Sequence, residues 1–273
     1  MPKSSIYLSN LFKSLFKNRE LTNQLIRREV TTKYKGSYLG IVWSFVTPLL
    51  MLIIYTYVFS VIFKAKWDFS VTDSKQEFAL TLFCGMIVFS LFSECVNKSP
   101  GLIHNNPNYV KKVVFPLEIM PFSLLGGAII NFAIGLSILI LMQLIIMHTV
   151  FWTIIYIPLI ILPMAVLSLG LSYALSSLGV YLRDIEHTIN VVVQALYLLT
   201  PIFYPLTAIP ESFRGFILLN PITGIVDNMR RVVVWGMQPD FYSLSIQLII
   251  ALIILQLGYA WFVKTRKGFA DVI

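Results

Sequence analysis

The stretch PFSLLGGAIINFAIGLSILILMQLIIM, residues 121–147, contains no Asp, Glu, Lys or Arg. A helix rises about 1.5 Å per residue, so about 20 apolar residues cross the hydrocarbon core of a bilayer. Five further segments read the same way: Ile41–Phe63, Phe78–Val96, Leu159–Leu182, Thr188–Ile209 and Leu244–Val263. Glu94 is the only formal charge in any of them. Composition agrees, since 57% of the 273 residues are hydrophobic and 12% are charged, against about 25% charged in a soluble domain. The fold expected is an all-α integral membrane domain, residues 41–273, with six transmembrane helices. Residues 1–40 are polar and basic, so a cytoplasmic interface region is expected there and a cleavable leader is not.

Charge orients these spans. With a cytoplasmic N-terminus, 15 Lys and Arg residues fall on the inner side and 6 on the outer, whereas acids divide 7 to 6. The positive-inside rule counts Lys and Arg and favours both termini in the cytoplasm. The net charge of +8 then reflects topology and contact with anionic lipid, and no nucleic acid is expected as a partner.

Leu8, Leu11, Phe12, Leu15 and Phe16 repeat at helical spacing opposite Ser9, Lys13, Ser14 and Lys17. That pattern fits an amphipathic helix in the membrane surface, or a solvated basic helix. Asn18 can cap a second, more basic helix over about residues 19–34. Pro48 stands inside the first span. The loop at residues 98–120 carries an Asn-Pro turn at Asn106-Pro107 and belongs to the cytoplasm. Ser123, Gly127, Asn131 and Gly135, and then Ser168, Ser172 and Ser176, form rows at i+4 that let backbones approach closely. Packing within the chain and a dimer seam are both open to them. Pro158 and Pro163 divide an interfacial approach from the fourth span proper. Between spans five and six, residues 210–236 contain two apolar pieces too short to cross, separated by Asn220-Pro221. Two short re-entrant helices in the outer leaflet fit this pattern, as does an amphipathic hairpin on the surface.

What is missing narrows function. The span interiors hold none of the ionisable residues that ion-coupled transporters place there. Glu94 sits near a span end, where it can serve a pathway or snorkel. No glycine is followed by lysine, so there is no P-loop. His104, His148 and His187 lie in three loops, and Cys84 and Cys95 stand about 16 Å apart by rise, so neither a metal set nor a disulfide is expected. Energy for transport would come from a partner. Tyr55, Tyr57 and Phe59 in the first span, and Tyr197, Phe203 and Tyr204 in the fifth, can be interfacial anchors. They can also line a sugar path, because aromatic faces meet C–H-rich sugar surfaces and tyrosine hydroxyls hydrogen-bond.

Four stretches carry a resemblance: IRREVTTKYKGSYLGIVWSFVTPLL (26–50), NNPNYVKKVVFPLEIMP (105–121), YLRDIEHTI (181–189) and NPITGIVDNMRRVVVWG (220–236). With the ending KGFADVI (267–273), the chain resembles the membrane permeases of polysaccharide-export ATP-binding cassette transporters, over its whole length. These export O-antigen, capsule and teichoic acid. The resemblance implies a homodimer bound to two separate ATPase subunits, with ATP and Mg held by those subunits and no cofactor in this chain. It places the ATPase contact at Arg27 and Arg28 and at Asn105, Asn108, Tyr109, Lys111 and Lys112. Arg183, Asp184 and Glu186 of the second cytoplasmic loop join that contact. The first and fifth spans would line a channel, and Asn220, Pro221, Asp227, Arg230 and Arg231 would belong to its outer gate. The function implied is export of a lipid-linked polysaccharide across a bacterial inner membrane, and O-antigen is the cargo expected. Rivals are an exporter of teichoic acid, capsule or a small molecule, an integral-membrane enzyme on lipid-linked sugars using Asp227 with Asp240 or Glu211, and a membrane scaffold.

Overall fold

The computed structural model describes residues 8–33, 38–62, 75–111 and 115–273, with the side chains of residues 41, 59, 60, 75 and 76 left aside. No strand occurs among the described residues. The helices are α1 (Leu8–Lys17), α2 (Arg19–Thr32), α3 (Trp43–Thr56), α4 (Lys75–Lys98), α5 (Gly101–His104), α6 (Pro107–Val110) and α7 (Ile119–Met147). They continue as α8 (Ile157–Tyr181), α9 (Ile185–Leu199), α10 (Glu211–Leu218), α11 (Pro221–Val233), α12 (Phe241–Thr265) and α13 (Phe269–Val272).

Among the described residues, four helical stretches are long and apolar enough to cross a membrane: Glu77–Lys98, Ile119–Met147, Trp152–Tyr181 and Phe241–Val272. The first and fifth apolar segments behave differently. Around α3 the helix is continuous from 40 to 62, with a 3-10 turn before it and a π turn, Tyr57–Ile62, after it. Those 23 residues rise about 34 Å. The fifth segment does not stay helical to Ile209. It stops at Leu199, where Thr200 turns extended (ψ 132°), because Pro201 disfavours helical backbone before it.

α4 is the centre of the molecule. Leu80, Leu82, Phe83, Cys84, Val88, Leu91 and Cys95 are all buried, and α3, α7, α8, α9 and α11 surround it. α8 and α12 form the tightest pair. A Cβ on Gly258 would lie 2.1 Å from the Gly170 carbonyl oxygen, and one on Gly170 would lie 2.7 Å from the Leu255 backbone. Both positions therefore require glycine, which lets the two backbones touch. The serine row faces the interior, with Ser168, Ser172 and Ser176 buried. The α7 row also serves packing within the chain. Gly127 lies under Glu29 of α2 and Gly135 under Ile87 of α4, while Asn131 Nδ2 donates to Glu94 at 2.7 Å.

Chain ends are tied in. Glu118 accepts from Ser14 of α1 at 2.9 Å and pairs with Arg266 beyond α12 at 2.9 Å. Phe269 is buried against Tyr181 and Phe262. In α1 the apolar stripe divides. Leu11 is buried and Leu8 and Leu15 pack on the core, but Phe12 and Phe16 stand 62% and 77% exposed, where a membrane surface can take them.

Candidate functional site

Three groups of residues singled out in the sequence come together in space. The first is where α2 meets the loop after α4. α2 is Arg19–Thr32, slightly shorter than expected, and Asn18 precedes it without capping it. The Asn18 amide instead donates back to the Ser14 carbonyl at 2.8 Å, so it joins α1 to α2. Ile26 seats on Gly126 of α7, where a Cβ would lie 2.6 Å from the isoleucine. This seat turns Arg28 toward the loop. Its guanidinium donates to the Tyr109 hydroxyl and to Asn106 Oδ1 at 2.7 Å, and stands 5.5 Å from the Tyr109 ring centre. Tyr109 in turn stacks on Phe115 at 4.4 Å.

Helix and loop thus form one rigid, exposed, polar edge. Asn105, Glu186 and Glu29 line a neighbouring groove of about 270 Å³, which brings the turn between α8 and α9 to the same face. Arg183 and Asp184 are exposed just before α9. Lys111 is exposed, and Lys112 lies outside the described residues. Asn106 had not been singled out; its Asn-Pro step marked only a turn.

The second group is aromatic. Tyr55 of α3 meets Phe203 edge-on at 5.1 Å, Phe203 meets Tyr197 of α9 at 5.1 Å, and Tyr197 meets Phe89 of α4 at 4.9 Å. Phe203 is only 3% exposed. Tyr204 takes another role, donating to the Leu198 carbonyl at 2.8 Å and so closing the end of α9. Tyr57 is 60% exposed and stands apart from this cluster. The Phe59 side chain is outside the described residues.

The third group is the break between α9 and α12. Arg230 of α11 is 2% exposed. Its guanidinium donates to three backbone carbonyls: Thr81 at 3.1 Å, Pro201 at 2.7 Å and Ile202 at 2.8 Å. Pro201 and Ile202 lie in the non-helical stretch that follows α9. The Asn220 amide donates to Thr200 Oγ1 at 2.9 Å while its carbonyl oxygen caps Ile222 N at 3.1 Å, with Pro221 in the first helical turn. At the other end of α11, Thr153 donates to the Val232 carbonyl at 2.6 Å and Gln143 to the Val233 carbonyl at 2.8 Å. Buried backbone outside a helix needs partners for its polar groups, and these side chains supply them. Arg231 turns outward to the Gln238 carbonyl at 3.3 Å.

No group of three or more His, Cys, Asp or Glu side chains gathers at metal-binding distance among the described residues. Asp240 is occupied in capping α12 through Tyr242 N and Ser243 N, both 3.1 Å away.

Comparison with known proteins bears on this arrangement. The family model described as "ABC-2 type transporter" matches residues 20–234. The O-antigen export system permease protein RfbA of Myxococcus xanthus is 26% identical over 265 residues, 96% of this chain and 99% of that protein. An RfbA of Klebsiella pneumoniae is 24% identical, covering 91% and 93%. The polysialic acid transport protein KpsM of Escherichia coli is 26% identical, covering 89% and 92%.

Proposed function

This chain belongs to the ABC-2 type transporter family, and from that premise we propose that it is the membrane permease of a polysaccharide exporter, with O-antigen as its cargo. The observation that carries the reading is likeness along nearly the whole chain to proteins named for O-antigen export, at 26% and 24% identity. Likeness to a polysialic acid transport protein at 26% favours capsule as the second reading.

On this reading the chain is a transport subunit. A second copy of it and two ATP-binding cassette subunits complete the exporter, and ATP and Mg are bound by those subunits. It sits in the bacterial inner membrane with both termini cytoplasmic, as the excess of inner Lys and Arg favours. Six segments cross. The 23-residue helical run around α3 is long enough, and α9 together with the backbone held by Arg230 makes the fifth crossing, about 22 Å of it helical. α10 and α11 are the re-entrant pair of the outer gate. Residues 1–40 form the cytoplasmic interface region.

The mechanism follows from what is rigid. The edge built by Arg28, Asn106, Tyr109 and Phe115 receives the ATPase. Because α2 is seated on α7 through Ile26 and Gly126, movement of that edge is passed to the spans. Tyr55 and Tyr197, half-buried against the buried rings of Phe203 and Phe89, offer the glycan ring surface with hydroxyls beside it, a surface suited to sliding.

Affinity purification of the chain from its native membrane tests this directly. A stoichiometric P-loop subunit, together with loss of surface glycan on deletion, is the expected result. Reproducible absence of that subunit with the chain intact would overturn the exporter reading. Glycan accumulating inside the deletion strain identifies O-antigen or capsule.

A further inference from the structure

Glu94 is the only formal charge within any of the six apolar segments. Its side chain is 14% exposed, so it does not reach out toward water as a snorkelling residue would. Donors from three elements hold it instead. Lys33 Nζ, just past the end of α2, donates at 3.3 Å. Lys98 Nζ, one turn further along α4, donates at 2.9 Å. Asn131 Nδ2 of α7 donates at 2.7 Å. A carboxylate among apolar neighbours is costly unless it is paired and hydrogen-bonded. Lys98 and Asn131 already meet that need. The third donor goes beyond it, and that donor is the one that comes from α2.

What lies on each side of this tie gives it a use. On one side, Lys33 stands little more than one turn beyond Arg28, which holds Asn106 and Tyr109 in the exposed edge. On the other, Glu94 stands about 7.5 Å along α4 from Phe89, which meets Tyr197 of the aromatic cluster at 4.9 Å. α2 rests on α7 through Ile26 and Gly126, and Lys33 ties it to α4 as well. α4 in turn touches α3, α7, α8, α9 and α11.

We infer that Glu94 is a positioning residue of the transport step: through Lys33 it passes movement of α2 to α4, and so to the aromatic cluster. The inference rests on the proposed reading that the Arg28 edge receives an ATPase. A chain of contacts carries coupling only if breaking it uncouples the two ends.

The test uses the full-length permease with its co-purified ATPase. Three quantities are read: ATPase recovered per permease, ATP hydrolysed per complex, and surface glycan per permease in cells. Lys33→Ala removes the tie but leaves Glu94 with Lys98 and Asn131, and the Lys33 side chain is 40% exposed, so the fold should survive. Surface glycan should fall about fivefold, the most that one partly exposed ion pair supplies, with recovery and hydrolysis near wild type. Lys33→Arg should restore export. Lys98→Ala is the matched control, because it removes an ion pair from the same carboxylate but within α4; export should stay near wild type. Glu94→Gln should match Lys33→Ala, and the double variant should fall no further, since both act on one tie. Should Glu94→Gln fail to fold, Lys33→Ala and Lys98→Ala decide. Wild-type export from Lys33→Ala overturns the inference. So does an equal loss from Lys98→Ala, which would assign the pairs of Glu94 to stability alone. A wild-type permease that yields no ATPase overturns the exporter reading and this inference with it, whereas an intact wild-type complex with unaltered export from Lys33→Ala overturns the inference alone.

Discussion

Arg230 Nη2 and Gly85 are fitted to each other: a Cβ at residue 85 would lie 2.8 Å from that nitrogen. α4 can hold the guanidinium against its Thr81 carbonyl only because residue 85 lacks a side chain. One arginine thereby joins α4, α11 and the chain break at Pro201-Ile202.

Arg230→Ala should destabilise the chain by about 3 kcal/mol or more, since it strands buried carbonyls on two elements. Arg230→Lys should recover little, because one ammonium cannot reproduce a planar fork across three acceptors. Gly85→Ala should act on the same contact, so the double variant Gly85→Ala/Arg230→Ala is expected to cost less than the two singles added. Thermal unfolding of the detergent-solubilised chain gives all four values. Additive losses would show that the two residues are not coupled.

Close packing of α8 on α12 makes a second prediction. Gly170→Leu and Gly258→Val should each prevent stable assembly, because the obstructing atoms are backbone, which cannot rotate aside. Gly215→Ala is the matched control, with nothing within 4 Å of its Cβ position. Yield of monodisperse protein after extraction separates them, and good yield from either bulky variant would refute the seam.

Much of this fold was legible because hydrophobic length is a direct readout of bilayer thickness. The two short helices between residues 210 and 236 were legible too, because Asn220-Pro221 interrupts apolar runs too short to cross. The end of the fifth apolar segment was not. Residues 188–209 are uniformly uncharged, and Pro201 alone does not say whether a membrane helix bends or stops. The outcome depends on Arg230, about 30 residues later, which supplies donors to the freed carbonyls. Arg230 had been placed in the outer gate by family likeness; its burial could not be read from a segment that also carries Arg231, which is only half-buried. The role of Glu118 was equally hidden, since Ser14 and Arg266 lie far from it in sequence.

The proposed ATPase edge predicts graded losses. Arg28→Ala should weaken recovery of the ATPase on co-purification by about tenfold or more, because the two hydrogen bonds that hold the loop against α2 are lost. Tyr109→Phe should cost much less, since the ring keeps its stack on Phe115 and its place under the guanidinium. Equal recovery with Arg28→Ala would move the ATPase contact elsewhere, with Lys111→Glu and Glu186→Lys the next variants to compare.

The aromatic cluster makes the path hypothesis sharper than the sequence allowed. Four tyrosines were equivalent candidates there, but in the structure they divide. Tyr55 and Tyr197 join Phe203 in one cluster, Tyr204 closes the α9 end, and Tyr57 is exposed. If glycan slides over the cluster, Tyr55→Ala and Tyr197→Ala should lower surface glycan severalfold at unchanged permease level. Tyr57→Ala should leave it near wild type, as expected for an anchor at the lipid boundary. Tyr204→Ala should reduce the amount of folded permease along with export, because its loss uncaps a helix end. Conservative Tyr55→Phe and Tyr197→Phe separate the two parts of the contact: full export would assign the work to the ring faces, and partial export to the hydroxyls. Surface glycan quantified per permease molecule decides, and wild-type export from Tyr55→Ala and Tyr197→Ala together would remove the cluster from the path.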